Sequence, residues 1–209
     1  MKIYIGIPIF GQADPEFISS LRKTTKVFEM LGHEVEVDMH TGCAIITKAR
    51  NSIVRRFIKS GFDKLLFIDA DMVWSPADAV LVLHAEHEFC GVAYRQKSEE
   101  IKYNVSLNGK RDGAWLGASV IGAGFISITK MCVDEMVAGY PETAYKENGD
   151  TLHALFDTEI VEGEYWGEDC NFCRRWENIG GTIWVLPADI GHIGKKIYRG
   201  NINETLMGS

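Results

Sequence analysis

Two aspartates one residue apart, Asp69 and Asp71, directly follow a short apolar segment, Lys64–Ile68. A buried strand that ends in such a pair places hard oxygen ligands together at the open edge of a sheet. Mg²⁺ and Mn²⁺ bind through one or two carboxylates together with substrate phosphates. Partly buried carboxylates cost free energy when they lack a partner, so a cation is their natural counterion. The pair therefore predicts a divalent metal site, and an exposed acidic turn with a helix cap is the alternative.

A second acidic pair, Glu168 and Asp169, follows Tyr165, Trp166 and Gly167 and opens a predicted helix. A carboxylate at a helix N-terminus is stabilised by the helix dipole, so capping alone could explain one of the two. Two acids beside aromatic residues also suit a general base or a group that binds an acceptor. The residues alone leave both roles open.

Two further side chains are candidates for ligand contact. His192 lies in the segment PADIGHIG, and a lone histidine is usually structural, but the neighbouring glycines allow a close backbone approach that favours a ligand role. Arg50 lies within a predicted helix, Ile45–Ser60. An arginine on a helix is normally solvated, whereas one near a crevice could reach a phosphate or the edge of a nucleotide base.

The first half of the chain alternates strand and helix patterns, which must position these residues. Strands are predicted at Lys2–Pro8, Glu34–Met39 and Lys64–Ile68, and helices at Phe17–Leu31, Ile45–Ser60 and after the cap Ser75-Pro76. This order predicts an α/β fold, a three-layer α/β/α sandwich on a mostly parallel sheet. Ligands of such sheets bind beyond the carboxyl ends of the strands. We therefore expect Pro8–Phe10 and Asp69–Asp71 to line one crevice.

The second half is less regular. Strands are predicted at Glu88–Tyr94, Tyr103–Leu107 and Thr182–Leu186, and a helix at Met131–Ala138. The polar segment Pro141–Asp150 is typical of a loop. No internal repeat, low-complexity tract or linker interrupts the chain. The prediction is one domain over residues 1–209.

Composition bounds the function classes. The chain has 209 residues, 46% hydrophobic and 24% charged, which is typical of a globular protein and excludes a disordered one. No apolar run approaches the ~20 residues of a membrane helix, and the N-terminus does not resemble a signal peptide, so a cytoplasmic location is predicted. The charge balance, 22 − 29 = −7, gives no support for a nucleic-acid partner. Five cysteines, an odd number, suit reduced thiols.

Together these segments resemble the GT-A-fold glycosyltransferases, the nucleotide-diphospho-sugar transferase superfamily. The resemblance is carried by four segments in the order that superfamily uses: IPIFGQADPEF, ITKARNSIVRRFIKSGFDKLLFIDADMVWSP, GAGFISITKMCVDEM and GEYWGEDCNFCRRWENIGGTIWVLPADIGHIG. They cover most of the chain. The short length and the absence of an anchor or stem resemble a compact bacterial or phage-type member, which would act in the host cytoplasm.

The resemblance implies a nucleotide-binding half, residues 1–94, and an acceptor-side half, residues 95–209. It implies these site roles: Asp69, Asp71 and His192 as ligands of Mn²⁺ or Mg²⁺, and Pro8, Phe10, Arg50 and Asp69 as donor-binding residues. Asp169 would be the general base of an inverting reaction, with Glu168 beside it. In a retaining reaction the acidic pair would instead orient the sugar or the acceptor.

The function implied is metal-dependent, hexosyltransferase-like transfer of a sugar from a UDP- or GDP-sugar to an acceptor hydroxyl. The acceptor could be a glycan, a small molecule or, with less support, modified DNA, and the chain could form a homo-oligomer. One alternative is a haloacid-dehalogenase-type phosphohydrolase with Asp69 as nucleophile and Asp71 as general acid–base. In that family the motif lies near the N-terminus, whereas here two strand–helix units precede it. A non-catalytic nucleotide-sugar-binding module is the other alternative.

Overall fold

The computed structural model of the protein describes residues 1–194 and 196–207. Its strands are β1 (Lys2–Ile9), β2 (Glu34–Thr41), β3 (Lys64–Ile68), β4 (Met72–Val73), β5 (Phe89–Val92), β6 (Val105–Asp112), β7 (Trp115–Ile121), β8 (Phe125–Thr129), β9 (Ala144–Glu147), β10 (Asp150–His153), β11 (Glu159–Val161), β12 (Glu164–Trp166), β13 (Ile183–Leu186), β14 (Gly191–Ile193) and β15 (Ile197–Tyr198). Its helices are α1 (Pro15–Met30), α2 (Ile46–Ser60), α3 (Pro76–Leu83), α4 (Lys130–Gly139), α5 (Glu168–Asn178) and α6 (Ile202–Met207), with a 3₁₀ turn at Pro141–Thr143.

The helices follow local signals in the sequence. α2 ends at Gly61, whose φ of 69° lies in the left-handed region that glycine adopts without a steric penalty. α3 begins at Pro76, and the hydroxyl of Ser75 accepts a hydrogen bond from the backbone N–H of Asp78, so the predicted cap is confirmed. Within the described ranges, the helices are all too short or too polar to cross a membrane.

Eight strands form the central sheet, in the order β2-β1-β3-β8-β5-β13-β7-β6. β1 is parallel to β2 and β3, and β5 is parallel to β13. β8 is antiparallel to β3 and β5, and β7 is antiparallel to β13 and β6. The α/β class is confirmed. The sheet is mixed: six of its eight strands run in one direction, and β7 and β8 run in the other. Strand–helix alternation, which prescribes parallel pairing, is regular only as far as α3, and β6, β7 and β8 follow one another with no helix between them.

The core is divided between two hydrophobic clusters. One includes buried side chains of α2, α4 and α5, among them Phe57 and Phe172. The other includes buried side chains of α1 and α3, among them Phe17. Successive residues of β3 alternate between them, since Leu65 belongs to the first cluster and Leu66 to the second. A strand that is covered on both faces needs apolar side chains at every position, which explains the uninterrupted run before Asp69.

The segment predicted as a loop, Pro141–Asp150, is more ordered than its composition indicates. After the 3₁₀ turn, β9 and β10 pair antiparallel as a hairpin, with Tyr145 opposite Leu152. The hairpin turns at Asn148 and Gly149, which both have positive φ angles, 49° and 85°. Polar residues on a hairpin that faces solvent are difficult to distinguish from a loop by periodicity alone.

Candidate active site

A crevice of about 350 Å³ opens at the carboxyl ends of β1 and β3. Its walls bring together most of the residues singled out in the sequence: Pro8, Phe10, Arg50, Asp69, Asp71, Glu168 and Asp169. Tyr94 and Ala123 complete the floor. The prediction that the ends of these two strands line one crevice is therefore confirmed. The chemical roles of these residues stay predictions.

Backbone hydrogen bonds hold the two aspartates in place. The backbone N–H of Asp69 donates to the carbonyl of Gly124 over 3.0 Å, so the first aspartate is fixed by the chain that enters β8. The carbonyl of Asp71 accepts from the N–H of Ile193 over 2.7 Å. β4, directly after the aspartates, pairs antiparallel with β14, which sets His192 opposite Met72. This strand pairing places His192, which is far from the acidic pair in sequence, next to Asp71.

His192 lies close to Asp71. The Nε2 atom of His192 lies 3.6 Å from Oδ2 of Asp71. The other ring nitrogen, Nδ1, lies 2.9 Å from the backbone carbonyl of Arg95. A carbonyl can only accept, so Nδ1 carries a proton, and Nε2 on the other side of the ring faces Asp71. Metal-binding histidines commonly donate their other ring N–H to a backbone carbonyl or a carboxylate in this way.

Arg50 is buried beneath the acidic residues, with only 3% of its side chain exposed. Its NH2 group donates to Oδ1 of Asp69 over 2.8 Å, and NH1 donates to the carbonyl of Ala123 over 3.2 Å. Its Nε atom lies 3.7 Å from a carboxylate oxygen of Glu168. Arg50 thus links the two acidic pairs from below, a positioning contact that the sequence does not reveal. The predicted contact between Arg50 and a nucleotide stays a prediction.

The carboxylates of the site differ in their electrostatic surroundings. Burial raises the pKa of Asp69, although Arg50 opposes this shift. Burial also acts against the ionised form of Asp71, but the neighbouring His192 and Lys97 outweigh it and hold the pKa of Asp71 below its usual value. Burial raises the pKa of Glu168, again against the influence of Arg50. Of these three carboxylates, Asp71 is the one whose surroundings favour the ionised form.

Glu168 and Asp169 occupy the first turn of α5, where the helix dipole favours carboxylates. The two side chains are used differently. Glu168 lies beside the guanidinium of Arg50, whereas Asp169 forms no ion pair with any other described residue and lines the crevice. One oxygen of Asp169 accepts a hydrogen bond from the N–H of Cys170 over 2.7 Å. Asp169 is thus the member of the pair that is available to a ligand.

Sequence reasoning missed three residues of the site. Tyr94 lies with its ring edge toward His192, 5.0 Å between centroids, and its hydroxyl accepts from the N–H of Gly124 over 3.1 Å. The ammonium of Lys97 contacts Oδ2 of Asp71. Asn51 forms hydrogen bonds beneath the crevice with the backbone of Phe156. Asn51 is adjacent to Arg50 in a segment that the sequence already singles out. Nothing in the residues around Tyr94 and Lys97 indicates that they belong to the site.

The donor set fits a hard divalent cation. Oδ1 of Asp71 is buried and has no hydrogen-bond partner, and the imidazole of His192 and the carboxylate of Asp69 lie nearby. Across the described ranges, however, no three histidine, cysteine or acidic side chains are already grouped as a metal site. In the structure Asp69 is paired with Arg50 and Asp71 with Lys97.

Comparison with known proteins supports the fold. No family model and no curated protein sequence matches the chain. Among solved structures, the viral protein A197 from STIV has a TM-score of 0.56 at 14% identity, covering 96% of this chain and 94% of that one. The catalytic domain of Drosophila β1,4-galactosyltransferase 7, in complex with xylobiose, has a TM-score of 0.51 at 11% identity, covering 96% of this chain and 70% of that one. The chain has a GT-A-like fold.

Proposed function

We propose that the chain is a glycosyltransferase that moves a sugar from a nucleoside-diphosphate donor to an acceptor hydroxyl. The observation that carries the proposal is the convergence of Asp69, Asp71, His192 and Asp169 at the carboxyl ends of the central strands of a GT-A-like fold. Such strand ends are where α/β sheets bind their ligands. At the sequence identities found, the likeness to known structures concerns the fold, so the activity rests on the site.

The donor side is formed by the first half of the chain together with His192 from the second half. Asp69, Asp71 and His192 would hold Mn²⁺ or Mg²⁺, which as a Lewis acid stabilises the negative charge of a departing nucleoside diphosphate. Phe10, a residue that is 78% exposed beside Pro8, offers an aromatic face to the base of UDP or GDP.

The acceptor side is formed by the start of α5. In an inverting reaction Asp169 takes the proton of the acceptor hydroxyl while the oxygen attacks the anomeric carbon, and the bond to the diphosphate breaks with its electron pair on the diphosphate oxygen. Glu168 keeps Arg50 and Asp69 in place. In a retaining reaction the same two carboxylates would orient the sugar or the acceptor. A glycan or small molecule suits the net charge of −7 better than modified DNA.

The proposal extends to the whole chain. It takes residues 1–209 as one domain with a donor half, 1–94, and an acceptor half, 95–209, acting in the cytoplasm of a bacterium or a phage-infected host, as a monomer or homo-oligomer. Helices α1 and α3 contribute to one hydrophobic cluster, and α2, α4 and α5 contribute to the other. This division of the helices supports the three-layer arrangement. The phosphohydrolase alternative is less favoured, because a nucleophilic Asp69 would act with one oxygen bound to Arg50.

Thermal unfolding with UDP, GDP and their sugar conjugates tests the proposal. At a nucleotide concentration of about one hundred times Kd, binding stabilises the folded state by about 2.7 kcal/mol, a Tm increase on the order of 5–10 °C for a chain of this size. We expect this increase with Mn²⁺ and its loss in EDTA.

Asp71→Asn should fold but lose the metal-dependent increase, because it removes a charged ligand and keeps the side-chain volume. Equal increases in EDTA would exclude the metal role. The absence of any increase would leave the glycosyltransferase proposal without a donor, and hydrolysis of simple phosphoesters that is lost in Asp69→Asn would favour the phosphohydrolase.

A further inference from the structure

One carboxylate oxygen of Asp71, a candidate metal ligand, is already in contact with a cation of the chain itself. Oδ2 of Asp71 faces both the ammonium of Lys97 and, at 3.6 Å, the imidazole of His192. The side chain of Lys97 is 37% exposed, so its ammonium can leave the contact for water without a large rearrangement. Oδ1 of the same carboxylate is buried and has no partner.

Lys97 is held near Asp71 by a compact loop between β5 and β6. The N–H of Gln96 donates to the carbonyl of Lys102, and the N–H of Ser98 donates to the carbonyl of Gln96, both over 2.8 Å. The same loop supplies the carbonyl of Arg95 that fixes the ring of His192. The placement of the lysine is therefore coupled to the placement of the histidine.

The stem of Lys97 also has a defined path. It passes over Gly194, where an added Cβ would lie 3.2 Å from Cδ of the lysine, closer than most side-chain contacts. The glycine two residues after His192 thus leaves room for the lysine to cross toward Asp71. A long, flexible stem that follows the backbone and ends in a point charge can release one anion and reach another nearby.

We propose that Lys97 is a built-in counter-cation of Asp71, which a divalent cation displaces and which then binds the diphosphate of the donor. The inference rests on the proposed function. An ammonium and a divalent ion cannot share one carboxylate oxygen without repulsion, so Lys97 weakens metal binding to the nucleotide-free protein. Once a diphosphate is bound, the displaced ammonium gains a new anionic partner, and the competition is relieved. Lys97 thereby couples metal binding to donor binding.

Mn²⁺ binding to the full chain, measured by electron paramagnetic resonance of the free ion with and without UDP, tests the inference. Lys97→Met removes the charge and keeps most of the stem. Without UDP we expect it to bind Mn²⁺ about two- to fivefold more tightly than the wild type, the range that corresponds to a partly exposed ion pair. The strengthening of Mn²⁺ binding by UDP should be smaller in this variant than in the wild type.

Two matched variants isolate the effect. Lys97→Arg retains a cation and should behave like the wild type, and Lys196→Met removes an exposed cation that pairs with Glu99 rather than with the acidic pair. Mn²⁺ affinity that is unchanged or weaker in Lys97→Met, or no Mn²⁺ binding to either protein, would overturn the inference. Tighter Mn²⁺ binding with no response to any nucleotide would support the counter-cation role but overturn the diphosphate contact together with the proposed function.

Discussion

Asp69 and Asp71 are separated by one residue, yet the residues around them shift their pKa values in opposite directions. Asp69 is held by the buried Arg50, and burial raises its pKa. Asp71 faces Lys97 and His192, which lower its pKa, and one of its oxygens has no partner. Of the two, Asp71 is better suited to bind a cation, whereas Asp69 connects the site to the protein interior.

Asp169 is expected to be essential for sugar transfer but not for donor binding. Asp169→Asn removes the proton acceptor while it keeps the side-chain volume, so the transfer rate should fall by about 10²–10⁴-fold. The Mn²⁺-dependent increase in Tm with UDP should persist. Glu164→Gln, an exposed acid on the preceding hairpin, is the matched control and should retain transfer. Unchanged transfer in Asp169→Asn would remove the general-base role.

Helix α2 is the element that ties the site together. Arg50 contacts the acidic residues, and the next residue, Asn51, forms two hydrogen bonds with the backbone of Phe156. The amide nitrogen of Asn51 donates to the carbonyl of Phe156 over 2.8 Å, and its amide oxygen accepts from the N–H of Phe156 over 2.9 Å. Phe156 stacks on Phe172 of α5, with ring centroids 4.2 Å apart, and meets Phe67 of β3 edge-on. One helix therefore positions β3, α5 and the segment between β10 and β11.

Asn51→Leu should destabilise the protein by about 2–4 kcal/mol, because it leaves both backbone groups of Phe156 buried without partners. Urea unfolding followed by circular dichroism measures the change. Asn178→Leu, at an exposed position at the end of α5, is the control and should lie within about 0.5 kcal/mol of the wild type. If the two variants had equal stability, the clamp between α2 and Phe156 would contribute nothing.

The stability of the whole molecule is linked to pH through partly buried histidines. Burial lowers the pKa of four of them: His33, His40, His87 and His153. Below the ordinary histidine pKa of about 6.5 the unfolded chain binds protons more readily than the folded one. The stability from these groups is present above that pH and is lost as pH falls through the lowered pKa of the folded state.

His87 provides the clearest test of this link. Its ring stacks on Trp184, with centroids 5.0 Å apart, and meets Trp115 edge-on at 5.1 Å. His87→Gln removes the titrating group, so its free energy of unfolding should fall less than that of the wild type between pH 7.5 and pH 5. Urea titrations at the two pH values measure the difference. Parallel pH profiles would show that His87 is not one of the linked groups.

The sequence by itself determined the elements whose signals are local. The apolar run of β3, the cap of α3 at Ser75 and the glycine that ends α2 each depend on neighbouring residues, and strand–helix alternation was sufficient to place Pro8 and Asp69 at one edge of a sheet. These signals arise from burial pattern and backbone geometry, which depend on residues close together in the sequence.

Tertiary structure alone decided the rest. The antiparallel position of β8 between β3 and β5, the contact of Lys97 with Asp71, and the contact of His192 with Arg95, which joins residues 97 positions apart, have no local pattern. The physical reason is that a lysine or histidine has the same periodicity signature whether it faces water or an acid. Only the pairing of distant strands fixes which of these it meets.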